Sequence, residues 1–153
     1  MSDDRIDPTT LTLGRLVAAP RVEVFRAWTE PELLAHWWWP SRFRTTYEVD
    51  VRPGGRWCFR TADLPDLGVL AVGGTFIDVH VPERLTYTWA WEGAAEDETL
   101  VTVEFRERGA QTEVLVRHER FADGHARDEH AQGWADCLDR LTGTMSTEGA
   151  ATR

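Results

Sequence analysis

Cysteine is scarce. Cys58 and Cys137 are the two in the chain, and neither stands in a CxxC or paired-histidine spacing, which removes the usual zinc and redox readings and leaves two reduced core thiols. Long hydrophobic runs are missing as well. No apolar stretch approaches the roughly 20 residues that cross a bilayer, and the start, Met1 to Thr10, is polar and acidic, without the apolar segment of a secretory leader. A cytoplasmic protein without a membrane partner is expected. Positive charge is in deficit: 17 basic residues face 26 acidic ones, giving a formal charge of -9, so a phosphate-rich surface would repel the chain and nucleic acid is not an expected partner. The pairs Gly54-Gly55 and Gly73-Gly74 have no GxGxxG around them and no GK[ST] after them. No nucleotide site is supported, and no cofactor is expected.

What the chain has in excess is tryptophan, eight in 153 residues, and rings of that size need a broad core or a cavity wall to cover them. The length and the 42% hydrophobic content suit one domain over residues 1–153, with 1–9 and 146–153 expected as flexible tails. Leu11, Leu13 and Val17 alternate in a first strand. Pro20 opens a helix with Val22, Phe25 and Trp28 at three-residue spacing, and Thr29 is positioned to cap a second short helix, Pro31 to about Trp38, that must end before Pro40. The period then becomes two. Tyr47, Val49 and Val51 alternate before the Pro53-Gly54-Gly55 turn, and Trp57 and Phe59 share one face of the returning strand. Val69 to Val81 is another strand, in which Gly73-Gly74 marks a bulge or sharp bend. Leu85, Tyr87, Trp89 and Trp91 lie on one face of the next, and Val101, Val103 and Phe105 and then Val114, Val116 and His118 on one face of two more. Finally His130, Trp134, Cys137 or Leu138, Leu141 and Met145 form a helical stripe within Ala126 to Met145. The order is strand, two short helices, six strands, one long helix. This is an α+β chain whose sequential strands build one curved antiparallel sheet of about seven strands, with the last helix available to cover its apolar face.

Those faces bring Trp57, Phe59, Trp89, Trp91, His118 and Trp134 to the space between sheet and helix, with Tyr47 and Trp38 near its ends. The same rings could simply fill a packed interior. His118 is the ionisable group of most interest, either as a satisfied structural histidine or as a ligand or proton contact. Asp78 and His80 share a face with Phe76, while Thr75, Ile77 and Val79 share the other, and a one-residue slip near the glycine pair would exchange the two. With Phe76 and Asp78 turned inward, Asp78 and His118 become a candidate acid/base pair. His125 and His130 are five residues apart and fall on different helix faces, so no metal site is expected. Neither cysteine nor serine has the setting of a nucleophile.

The opening RLVAAPRVEVFRAWTEPELLAHWW, the hairpin DVRPGGRWCF, the strand VPERLTYTW, the strand TEVLVRHERF and the helix motif GWADCLDRL together resemble the helix-grip, or START-like, superfamily. Within it they resemble the Aha-type family, the proteins related to the C-terminal domain of the heat-shock-protein ATPase activator. The match covers nearly the whole chain. Where that family reads Trp-Trp-Gly-Pro, this chain reads Trp38-Trp39-Pro40 after Trp37, so a bulky Trp39 stands where a small residue is expected. The resemblance implies a deep cavity between sheet and C-terminal helix, used by different members to bind hydrophobic molecules, to cyclise polyketides or to contact a chaperone. It makes Trp38, Tyr47, Trp57, Phe59, Trp89, Trp91, His118 and Trp134 candidate ligand contacts.

Three functions follow. The first is binding of a hydrophobic small molecule in a stress-related or sensing role. The second is a cyclase or hydrolase moving protons with His118, assisted by Asp78. The third is a chaperone-interacting module whose contact is an exposed corner at Trp37 to Trp39. The activator's additional N-terminal domain has no counterpart in this sequence, so ATPase activation is not carried over.

Overall fold

The computed structural model describes residues 7–151. Seven strands form one antiparallel sheet: β1 (Thr10–Val17), β2 (Thr46–Val49), β3 (Arg56–Arg60), β4 (Ala71–His80), β5 (Arg84–Trp91), β6 (Thr99–Arg108) and β7 (Gln111–Glu119). Helices α1 (Arg21–Thr29) and α2 (Pro31–Leu34) separate β1 from β2, and α3 (Gly124–Ala151) ends the described chain. The strand order β1-β7-β6-β5-β4-β3-β2 is a meander with its first strand returned to pair with its last. Alternation explains which face each strand buries. Leu85, Tyr87 and Trp89 of β5, Val101, Val103 and Phe105 of β6, and Val114, Val116 and His118 of β7 all point to the concave side. The 28 residues of α3, about 42 Å of helix, lie across that side and bury Trp134, Cys137, Leu138, Leu141 and Met145. This is the helix-grip arrangement expected. The helix runs to Ala151, past the end of its apolar stripe at Met145. Residues 1–6 and 152–153 of the expected tails lie outside the described residues.

The sheet curls where β4 meets its neighbours. A Cβ on Gly74 would stand 2.0 Å from the Thr88 carbonyl oxygen, and one on Gly73 2.5 Å from that of Trp57, so only glycine lets three backbones approach this closely. The Thr75 amide donates to the Thr88 hydroxyl, and the Thr88 carbonyl accepts from Trp57 Nε1. The register itself is unchanged at the glycine pair. It slips further on, between Phe76, which faces Tyr87, and Asp78, which faces Thr86. The extra residue is Ile77, which is exposed.

That slip corrects both alternatives drawn from the sequence. Phe76 is buried and Val79 packs on the core, while Asp78 and His80 lie half-exposed and exposed on the other side. A bulge lets two residues of opposite parity share a face, which strict alternation cannot anticipate. Three smaller expectations also change. Val22 is exposed, and α1 buries Val24, Phe25, Ala27 and Trp28. Thr29 does not cap α2, because its hydroxyl donates back to the Phe25 carbonyl. Helix α2 ends at Leu34, and the turn beyond it buries Trp37 and Trp38 at 1% and 2% exposure, so the corner is not an exposed one. Trp37 is held there by an Nε1–H bond to the Ala27 carbonyl.

Candidate functional site

The concave trough is largely filled. Trp28 reaches in from α1 and stacks on Trp134 of α3, with centroids 6.1 Å apart and planes 20° from parallel. Trp38 enters from the turn after α2 and meets Trp134 edge-on at 5.3 Å and Phe59 at 5.2 Å. Trp57 contacts Phe59 at 4.9 Å and Trp89 at 5.6 Å. Between Trp28, Trp38, Trp57, Phe59 and Tyr87 there remains a void of only ≈20 Å³, room for about one water.

One end of the trough stays open. A cleft of ≈270 Å³ lies between the end of β5, the turn after α2 and the first half of α3, lined by Trp38, Trp39, Trp89, Trp91, Glu129, His130, Gly133, Trp134 and Cys137. Glu129 and Gly133 are exposed, so the cleft reaches solvent along the helix. Its outer wall is the pair Trp39 and Trp91, both half-buried and stacked at 6.2 Å with planes 17° apart. The position where the family pattern places glycine therefore supplies the lip. Arg140 fixes that lip from behind. Its Nε donates to the Trp37 carbonyl at 2.9 Å and its Nη2 to the Trp38 carbonyl at 2.6 Å, while the Cys137 thiol also donates to the Trp38 carbonyl at 3.0 Å. Burial raises the Cys137 pKa to about 12, which leaves a neutral thiol without nucleophilic character.

Two histidines stand behind and beside the cleft, and their tautomers follow from their partners. Indole nitrogen only donates, so the 3.0 Å bond from Trp134 Nε1 makes His118 Nδ1 an acceptor. The proton is then on Nε2, which donates to the Thr99 hydroxyl at 2.6 Å, and Thr99 donates on to the Trp89 carbonyl. Burial, with a smaller contribution from nearby His130, lowers the His118 pKa to about 3. His118 is fully buried and neutral, and its lone pair is already taken. His130 shows the same pattern at the cleft wall. Its Nδ1–H donates to the Ala126 carbonyl at 2.8 Å, and its Nε2 accepts from Trp91 Nε1 at 3.0 Å. Trp38 and Trp89 keep their Nε1 atoms buried without a hydrogen-bond partner, in surroundings of aromatic rings whose faces are weak acceptors.

Of the eight residues marked in the sequence as ligand contacts, the structure brings Trp38, Trp89, Trp91 and Trp134 together at the cleft. Trp57 and Phe59 border only the small void. Tyr47 packs on Phe59 at 4.9 Å and accepts the Trp39 amide at 3.4 Å, and burial raises its pKa. His118 lies one layer behind the cleft, bonded to Trp134. Asp78 and His118 do not meet: Asp78 bonds Arg84 at 3.2 Å and His80 at 3.0 Å on the outer side of β4. The acid/base pair proposed for them is absent. Sequence reasoning missed Glu129, Gly133 and Cys137 as lining residues, and named His130 as part of the helical stripe and as a rejected metal ligand but not as a lining residue. The helical stripe through His130, Trp134 and Cys137 was the available signal for their shared face. Among the described residues no cluster of His, Cys, Asp or Glu could hold a metal ion, and no helix is long and apolar enough to cross a membrane.

Residues 18–146 match the family described as "Activator of Hsp90 ATPase homolog 1-like protein". The chain belongs to that family. Solved structures agree with this Hsp90-activator-like fold across nearly all of both partners. A protein from Nitrosomonas europaea is 26% identical, with a TM-score of 0.76, covering 94% of this chain and 98% of its own. An AHSA1-like protein from Aeromonas hydrophila is 24% identical, with a TM-score of 0.77, covering 92% and 94%. An HSP90 activator from Plasmodium falciparum is 19% identical, with a TM-score of 0.72, covering 90% and 96%. The last two, under 25% identical, speak for the fold alone. A comparison with curated proteins finds no match.

Proposed function

We propose that this Aha-type domain binds a small, largely apolar molecule in the tryptophan cleft. The carrying observation is that open volume of ≈270 Å³ persists against five tryptophans, whereas the void among Trp28, Trp38, Trp57, Phe59 and Tyr87 is only ≈20 Å³. The cleft sits just below the usual range of ligand pockets, roughly 300–1,000 Å³, so the ligand is of one or two rings and not a long acyl chain. Stacking on Trp39 and Trp91 supplies most of the contact, and the two neutral histidines keep the surrounding indoles in place. Two thiols without a disulfide fit a cytoplasmic setting. Tryptophan fluorescence titrated with a panel of small aromatic compounds tests the reading. Saturable quenching that weakens at least tenfold in Trp39→Ala is expected, and the absence of any saturable change across the panel would sink it.

A protein partner is the second reading, favoured by the family's relation to the Hsp90 ATPase activator and by the fold shared with the Plasmodium falciparum HSP90 activator. Its contact would be Trp39 with the half-buried Trp91 beside it. Retention of an Hsp90-type chaperone on immobilised domain, lost in Trp39→Ala, is the outcome that reading requires.

A further inference from the structure

Four of the five cleft tryptophans hide their N–H edges. Trp91 and Trp134 donate to His130 and His118, and the Nε1 atoms of Trp38 and Trp89 are buried from solvent. What these rings present to the cleft is carbon, in place of a donor for an acceptor-bearing or anionic ligand, and the face of an indole is its electron-rich part. Charge adds to this. Among the described residues the charged one that lines the cleft is Glu129, and no arginine does. The chain has no lysine anywhere, and its net charge is -9. His130 is held with one nitrogen donating and the other accepting, which is the arrangement of a neutral ring. Arg140 stands behind Cys137, with its Nη2 3.5 Å from the sulfur and its other bonds made to the Trp37 and Trp38 carbonyls. Those carbonyl dipoles oppose its field from the side of the lip.

Resting on the proposal that the cleft binds a small molecule, we infer that its ligand is an organic cation, a quaternary ammonium or protonated amine carried on an apolar body. Indole faces attract a desolvated cation through their quadrupoles, and tryptophan is the strongest of the aromatic side chains in this role. A carboxylate at the rim adds selectivity over neutral compounds of the same shape. Glu129 is free to act, because its own contact is with exposed His125 at 3.3 Å across one helical turn.

The test uses two probes of one shape, phenyltrimethylammonium and tert-butylbenzene, which differ in carrying or lacking the charge, titrated at pH 8 against the full chain. The cation should bind roughly tenfold more tightly than the neutral probe. Glu129→Gln, an exposed substitution that spares the fold, should weaken the cation several-fold and leave the neutral probe unchanged. Trp39→Ala should weaken both. Equal or tighter binding of tert-butylbenzene overturns the cation assignment while leaving the cleft as a binding site. Failure of both probes to bind saturably overturns the two together.

Discussion

Lowering the pH tests the burial of His118 directly. In the folded protein its pKa is about 3, because burial and then the neighbouring His130 disfavour the charged ring, whereas an exposed histidine titrates near 6.5. As pH falls through 6.5 the unfolded chain takes up a proton at this residue and the folded chain does not, so stability drains away between 6.5 and about 3. Above that window the contribution is fully present. The linkage relation makes the loss about 2 kcal/mol at pH 5 and about 3 kcal/mol at pH 4, relative to pH 8. Carboxylates such as Asp7 and Glu30, whose pKa values are lowered by their hydrogen bonds to Thr9 and Arg26, also cost stability in acid, so the wild type alone cannot isolate the histidine. Urea unfolding of wild type and His118→Gln at pH 8, 6, 5 and 4 removes that background. The variant is less stable at pH 8, since Trp134 Nε1 and the Thr99 hydroxyl lose partners, but the gap should narrow by about 2 kcal/mol at pH 5. A gap that stays constant from pH 8 to 4 would refute the assignment of a neutral, fully engaged His118.

Gly74→Ala should destabilise by at least ~3 kcal/mol or abolish soluble expression, because its Cβ would stand 2.0 Å from a backbone oxygen that cannot move without breaking the sheet. Gly143→Ala is the control: nothing lies within 4 Å of the added methyl, and helix propensity predicts a gain of about 0.5–1 kcal/mol in the same denaturation assay. Arg140→Leu should cost ~1–3 kcal/mol, because it leaves the Trp37 carbonyl unpaired and the Trp38 carbonyl with the Cys137 thiol as its remaining donor, and should also lower affinity in the fluorescence titration as the lip loosens. Arg140→Lys should not restore either, since a single ammonium cannot reproduce the fork that spans the Trp37 and Trp38 carbonyls.

Much of the architecture could be read from period alone, because β5 to β7 alternate without interruption and each inward position carries a residue with one environment it tolerates. Period two failed at Ile77, where a single inserted residue changes which parity faces inward, and nothing in the local composition of ThrPheIleAspVal distinguishes a bulged strand from a regular one. The glycine pair drew attention to the right strand for a different reason, the closeness of three backbones. For the site, alternation and the helical stripe correctly gathered Trp89, Trp91 and Trp134 on one side. They could not say how much of that side is empty. Whether a trough holds a ligand depends on which rings enter from outside the sheet, here Trp28 from α1 and Trp38 from a turn, and on stacking angles that sequence spacing does not encode. The polar chains through His118 and His130 were invisible for the same reason: each is assembled from separate elements and depends on an indole nitrogen pointing backwards.

The pairing of β1 with β7 has a consequence for how the chain is made. Thr10 meets Glu119 and Val17 meets Thr112, so β1 is synthesised about a hundred residues ahead of β7, the strand it pairs with, and waits for it before it has a neighbour. Contacts this distant along the chain slow folding, because a long loop must close before they repay its entropy. Until then two ladders of backbone amides and carbonyls stand uncovered, and a nascent chain interrupted anywhere before residue 111 would carry both as sticky margins.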